Sequence, residues 1–171
     1  MAKVLIIDTS ILCVWLELPG FERCGSDADP WDMERVKAKI EMEETAGNSL
    51  ILPLATIIET GNHISHIKTR DILPYAQRFA DILRASVNNE APWAAFSDQG
   101  QLWDNEAIIR YADTWPLQAA RRQSLGDASI VDVANYFVQL GEEVEIFTGD
   151  EGLRSYSPAT PTLPGLRRNR K

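Results

Sequence analysis

Hydrophobic positions follow two rhythms along this chain. Residues 4–7 (VLII) and 144–147 (VEIF) are short, largely β-branched runs bounded by polar residues, the pattern of strands buried on both faces of a parallel sheet. Residues 50–52 (LIL) make a third, weaker strand. Elsewhere the period is helical. Leu54, Ile57, Ile58, Gly61, Ile64 and Ser65 mark one face of a helix over 54–68, ended by Thr69 and Arg70. A second helix is predicted over 71–87, with Ile72, Tyr75, Ala76, Phe79, Ile82 and Leu83 inward, and a third, less regular, over 99–112. The most regular covers 126–140, where Ile130, Val131, Ala134, Phe137 and Val138 form a stripe before Gly141 stops it. Residues 30–46 read as an exposed charged helix with Trp31, Met33, Val36 and Ile40 on its inner side.

Wholly apolar strands separated by helical stretches imply an α/β fold around a central parallel sheet. In such sheets ligands sit outside the carboxyl ends of the strands. Asp8, Glu59 and Asp150 all fall just beyond predicted strand ends, and Asp127 opens the best helix.

Each acid also has a structural explanation. Asp8 can cap the following helix, and a first-turn Glu59 complements a helix dipole. Asp127, three residues after Ser124, fits a variant capping box. Asp150 sits in the Gly-containing turn TGDEG, with the Thr148 hydroxyl two residues earlier. Asp132 follows Asp127 by five residues, about 140° round the helix, and so faces elsewhere. Glu59, His63 and His66 share a helix face and raise zinc as an alternative, but the HExxH pattern is absent.

At 171 residues with 44% apolar content the chain suits one domain with a sizeable core. No apolar run approaches the roughly 20 residues of a membrane span and the start lacks a signal peptide's flanks, so a soluble, cytoplasmic protein is expected. Cys13 and Cys24 cannot make a disulfide framework and are read as thiols. Net charge is −8, which argues against coating nucleic acid by bulk attraction. Charge is uneven, however: no acid follows Glu151, whereas Arg154, Arg167, Arg168, Arg170 and Lys171 do. Residues 1–156 are read as the folded domain and 157–171 as a basic tail.

In order, the motifs IIDTS, IIETGN, LGDASIVDVA and IFTGD resemble those of the PIN-domain nucleases, most closely the small VapC-like toxins. The likeness runs from Lys3 to about Leu153. It implies a three-layer α/β/α sandwich and an acidic quartet of Asp8, Glu59, Asp127 and Asp150, assisted by Thr148 and Ser10. It further implies Mg²⁺ or Mn²⁺ dependence, RNA as substrate, homodimers and a cognate antitoxin protein. Segments 19–48 and 93–115, the latter read as an extra Trp-rich helical region, extend beyond the minimal toxin pattern.

The chemistry agrees with that resemblance. Crowded carboxylates repel one another unless a cation holds them charged, and oxygen-only ligands select hard ions such as Mg²⁺ or Mn²⁺. Such ions activate water and neutralise a leaving oxygen in phosphodiester cleavage. Arg121, Arg122, Lys68, Arg70 and the C-terminal arginines are candidate phosphate contacts. His63 is a candidate partner of Glu59 or of a phosphate. A phosphatase reading lacks the usual DxD, because Thr9 and Ser10 follow Asp8. RNA processing outside a toxin pair is the nearer alternative, and a non-catalytic protein-binding module with helix-capping acids is the more distant one.

Overall fold

Residues of β1 (Lys3–Ile7) alternate between two cores: Val4 and Ile6 face one, Leu5 and Ile7 the other. The neighbouring strands β4 (Ser49–Leu52) and β6 (Glu143–Phe147) divide in the same way, Leu50 and Leu52 opposite Ile51, Phe147 opposite Val144 and Ile146. Strands with both faces buried must be covered twice. This computed structural model, which describes residues 2–158, is accordingly an α/β fold with helices on both faces of a parallel sheet, a three-layer α/β/α sandwich.

The strand order is β5-β4-β1-β6, all neighbours parallel, with β5 (Trp93–Ala95) at one edge. One face is covered by α1 (Thr9–Trp15), α2 (Met33–Thr45), α3 (Leu54–His66) and α4 (Leu73–Val87), through residues such as Ile11, Val36, Ile64 and Phe79. The other face carries α5 (Gln99–Leu102) and α7 (Leu125–Gln139), through Leu102, Ile130, Val133 and Ala134. α6 (Asn105–Ala120) leans on α7, and α8 (Glu151–Arg154) follows β6. A two-stranded hairpin, β2 (Arg23–Cys24) and β3 (Trp31–Asp32), is inserted between α1 and α2. Successive crossovers lead from β1 to β4 to β5 in one direction, and the return to β6 reverses it. The reversal makes the carboxyl end of β1 a topological switch point, where α/β folds open a crevice.

Several expected elements change. Residues 93–95, expected to be helical, form the edge strand β5 and register Trp93 against Leu50. The helix expected over 99–112 breaks at Trp103 because Asp104 caps a new helix, accepting from the Ala107 amide at 2.8 Å. α6 then runs through Pro116 to Ala120. Trp31 belongs to the hairpin, and Asp32 caps α2 from the Arg35 amide at 2.9 Å. In α3 the buried stripe is Thr56, Thr60 and Ile64, while Leu54 and Ile58 are 37% and 53% exposed. Thr56 can turn inward because its hydroxyl donates to the Ile7 carbonyl at 2.7 Å. Asp132 is occupied in holding α6, accepting from Tyr111 Oη at 2.6 Å and pairing with Arg110 at 3.3 Å.

Near the amino ends of the strands, buried Glu43 pairs with Lys39 Nζ at 2.6 Å and Lys3 Nζ at 3.3 Å, and accepts from Asn48 Nδ2 at 2.6 Å. Glu145 pairs with the same two lysines. Burial pushes the Glu43 carboxyl up, but hydrogen bonds from Lys39 and Asn48 and the two ammonium charges outweigh it and hold the group below its ordinary range. Among the described residues no helix is long and apolar enough to cross a membrane. Of the basic tail, Arg167, Arg168, Arg170 and Lys171 lie outside the described residues.

Since the Thr56 hydroxyl is the polar tie between α3 and the end of β1, Thr56→Val should orphan the Ile7 carbonyl. Urea unfolding is expected to show a loss of about 1–3 kcal/mol.

Candidate active site

Asp8 follows the last residue of β1 and is the N-cap of α1. Its Oδ2 accepts from Ser10 Oγ at 2.6 Å and from Thr148 Oγ1 at 2.7 Å. Only 6% of the residue is exposed. The two hydroxyls come from opposite ends of the chain and meet because β1 and β6 are paired in register, Ile7 opposite Phe147. The expected support of Asp8 by Ser10 and Thr148 is therefore present as direct hydrogen bonds. Ser10 Oγ also accepts from the Gly149 amide at 3.1 Å, and Thr148 Oγ1 from the Asp150 amide at 3.0 Å.

Glu59 stands on α3 and accepts from Thr9 Oγ1 at 3.0 Å. Its other oxygen lies against Gly126, where an added Cβ would collide with it. Gly126 is thus the gap through which Glu59 reaches the start of α7. Asp127, the next residue, is in the first turn of α7 in a reciprocal capping box: its amide donates to Ser124 Oγ at 2.9 Å and its Oδ2 accepts from the Ser124 amide at 3.0 Å. Asp150 caps α8, accepting from the Leu153 amide at 3.0 Å.

The charge of Asp127 acts on both Asp8 and Glu59. Burial pushes the Asp8 carboxyl above its ordinary range; the Ser10 and Thr148 bonds oppose this and the charge of Asp127 adds to it. Burial likewise raises Glu59, with the Thr9 bond opposing, the charges of Asp8 and Asp127 reinforcing, and His63 opposing. Among the described residues no lysine or arginine forms an ion pair with Asp8, Glu59, Asp127 or Asp150.

Arg121 and Arg122, at the end of α6, line a cleft of about 310 Å³ together with Asp127, Asp150 and Tyr156. The predicted arginines therefore do stand beside two of the predicted acids. His63 does not join the acids in a ligand set: its ring packs on Phe21, centroids 4.9 Å apart. His66 Nδ1 is 2.7 Å from the Asn62 carbonyl. The proposed zinc trio of Glu59, His63 and His66 is accordingly not assembled.

Arg154 has a role that its place among the trailing bases did not reveal. It pairs with Asp29 of the hairpin loop at 2.7 Å and donates to the Thr148 carbonyl at 2.9 Å. Asp29 is held from its other side by Arg35 at 2.6 Å. Cys24 of the same hairpin packs so tightly on Gly149 that a Cβ there would lie 2.6 Å from its Sγ. The insertion thus clamps the turn that presents Thr148 to Asp8. Thr9, Gly126, Gly149 and Arg154 were all missed from sequence. The two glycines signal only through the neighbours they admit, and a threonine beside an acid is too common to stand out.

The donor set fits a hard divalent cation in chemistry: four carboxylates and two hydroxyls, all oxygen. In geometry the fit is conditional. No three His, Cys, Asp or Glu side chains among the described residues converge as a metal-ligand group. Asp127 and Asp150 each cap a helix through one carboxylate oxygen, which leaves the other oxygen of each for an ion. Compared with protein-family models, curated proteins and solved structures, the chain finds no match.

Two predictions follow from this geometry. A carboxyl whose folded pKa is raised loses stability as pH climbs from the unfolded value through the folded one, so charged Asp8 destabilises the metal-free protein at neutral pH. Asp8→Asn should therefore raise the Tm at pH 7 and leave it nearly unchanged at pH 3; equal Tm values at pH 7 would contradict the burial argument. Arg154→Met should lower stability by roughly 1–2 kcal/mol in urea. Arg154→Lys should recover only part of that, because an ammonium cannot fork between Asp29 and the Thr148 carbonyl.

Proposed function

We propose that this chain is a PIN-type, Mg²⁺- or Mn²⁺-dependent endoribonuclease that hydrolyses RNA phosphodiester bonds at the carboxyl edge of its sheet. The observation that supports this reading is that burial, with the charge of Asp127 adding to it, holds the Asp8 and Glu59 carboxyls above their ordinary range, while Asp127 lines a cleft with Arg121 and Arg122. Buried acids without a cationic partner are a standing cost to a fold, and that cost is relieved when a divalent ion binds. A bound ion would supply an activated water and neutralise charge on the leaving oxygen.

In this scheme Asp8 and Asp127 would hold the ion, with Glu59 and Asp150 as further carboxylate ligands. Ser10 and Thr148 fix the oxygen that Asp8 presents. Arg121 and Arg122 bind flanking phosphates that the acids would otherwise repel. The toxin role, a cognate antitoxin and a homodimer rest on the resemblance of the motifs alone.

A second reading is favoured by one observation: Asp127 and Asp150 already satisfy helix caps. On that reading the chain is a protein-binding module without metal chemistry. The two separate in a cleavage assay on an RNA mixture with Mn²⁺. The nuclease reading expects cleavage that chelation abolishes and that Asp8→Asn and Asp127→Asn each reduce by roughly a hundredfold or more. Full activity in both variants, or none in the wild type, would overturn it.

A further inference from the structure

A second groove opens one turn further along α3 from Glu59. Its volume is about 480 Å³, and its walls include Phe21, His63, His66, Ile67 and Lys68. The Phe21 and His63 rings pack at 59°, centroids 4.9 Å apart, so the groove has an aromatic wall. Lys68 and both histidines are exposed. Residues 60–70 contain these two histidines, Lys68 and Arg70 and no acid, in a chain of net charge −8. A helix C-terminus accounts for cations, but not for a ring pair set into a groove. Of the acids beside Phe21, Glu17 is paired with Arg78 at 3.5 Å, while Glu22 keeps its charge and is held by the Gly20 amide at 2.9 Å.

We infer that this groove is a nucleotide-binding subsite for single-stranded RNA, in which a base stacks on Phe21 and His63 while Lys68 contacts the adjoining phosphate. Stacking against aromatic rings tolerates any base, and a lysine at the rim supplies the phosphate contact that positions the strand. The inference rests on the proposed nuclease reading for its ligand. RNA held at once by Arg121 and Arg122 on one side of the acids and by this groove on the other would cross Glu59. The groove would then fix which bond is presented.

The test is fluorescence anisotropy of a labelled single-stranded RNA with the full chain in EDTA, where binding is read without cleavage. Phe21→Leu should weaken binding by about tenfold, and the effect should vanish on an abasic oligonucleotide of equal length. Lys68→Ala should weaken both probes and reduce the salt slope by about one. Circular dichroism checks that Phe21→Leu is folded; if it is not, the exposed Lys68→Ala carries the test. Wild-type affinity in Lys68→Ala and in folded Phe21→Leu overturns the inference, as does failure of the wild type to bind RNA. Fates of the two proposals are separable: normal binding by the variants with Mn²⁺-dependent cleavage by the wild type removes the groove alone. Weakened binding with no cleavage removes the nuclease and keeps the groove.

Discussion

Asp8 is a carboxylate buried among hydroxyl groups with no ammonium or guanidinium of the described residues paired to it, and much of the surrounding structure is arranged around that fact. Its amide donates to the Phe147 carbonyl at 3.1 Å, continuing the β1–β6 ladder to the residue that carries the charge. Its side chain then takes hydroxyls from the turns on either side of that ladder. Hydroxyl donors soften the desolvation of an acid without cancelling its charge. The next shell consists of restraints on those donors: Arg154 and Asp29 hold the Thr148 turn, and Gly149 lets the hairpin close over it.

The opposite end of the sheet handles buried acid differently. Glu43 is as inaccessible as Asp8 by exposure, 3% against 6%, yet two lysines and an asparagine neutralise it and its carboxyl stays below its ordinary range. The same chain therefore has the means to pair a buried carboxylate and does so where the acid is structural. At the carboxyl edge it leaves Asp8 and Glu59 without that partner. This difference, rather than the mere presence of acids, separates a candidate site from a set of helix caps.

Much of this was legible in the sequence, because apolar strands and acids at their ends are local signals. The parallel order around β1, the placement of Asp8 and the capping box at Ser124 and Asp127 follow from such patterns. β5 was not legible: Trp93–Ala95 is too short for a period, and its strand character comes from pairing with β4. The inward face of α3 was misread because Thr56 and Thr60 count as polar, whereas the Thr56 hydroxyl is satisfied by the Ile7 carbonyl, 49 residues earlier in the chain. The Arg154 clamp escaped for a related reason. An arginine in a basic run carries no mark of the distant Asp29 that fixes it.

On the nuclease reading net charge poses the last problem, since a chain of net charge −8 would have to approach a polyanion. Potential near a surface is set by local charge within about a Debye length, near 8–10 Å at physiological salt. Arg121 and Arg122 share a cleft with Asp127 and Asp150, and Lys68 with two histidines lines the groove that opens one turn along α3 from Glu59. An acidic body with two basic flanks disfavours indiscriminate coating by nucleic acid and leaves one path on which a strand is attracted at both ends. On that path the strand's middle would meet Asp8, Glu59 and Asp127, none of which has a lysine or arginine partner among the described residues. A cation between phosphate and carboxylate would remove the repulsion there that the basic flanks only offset, so on this reading metal binding strengthens the hold on RNA without being its precondition.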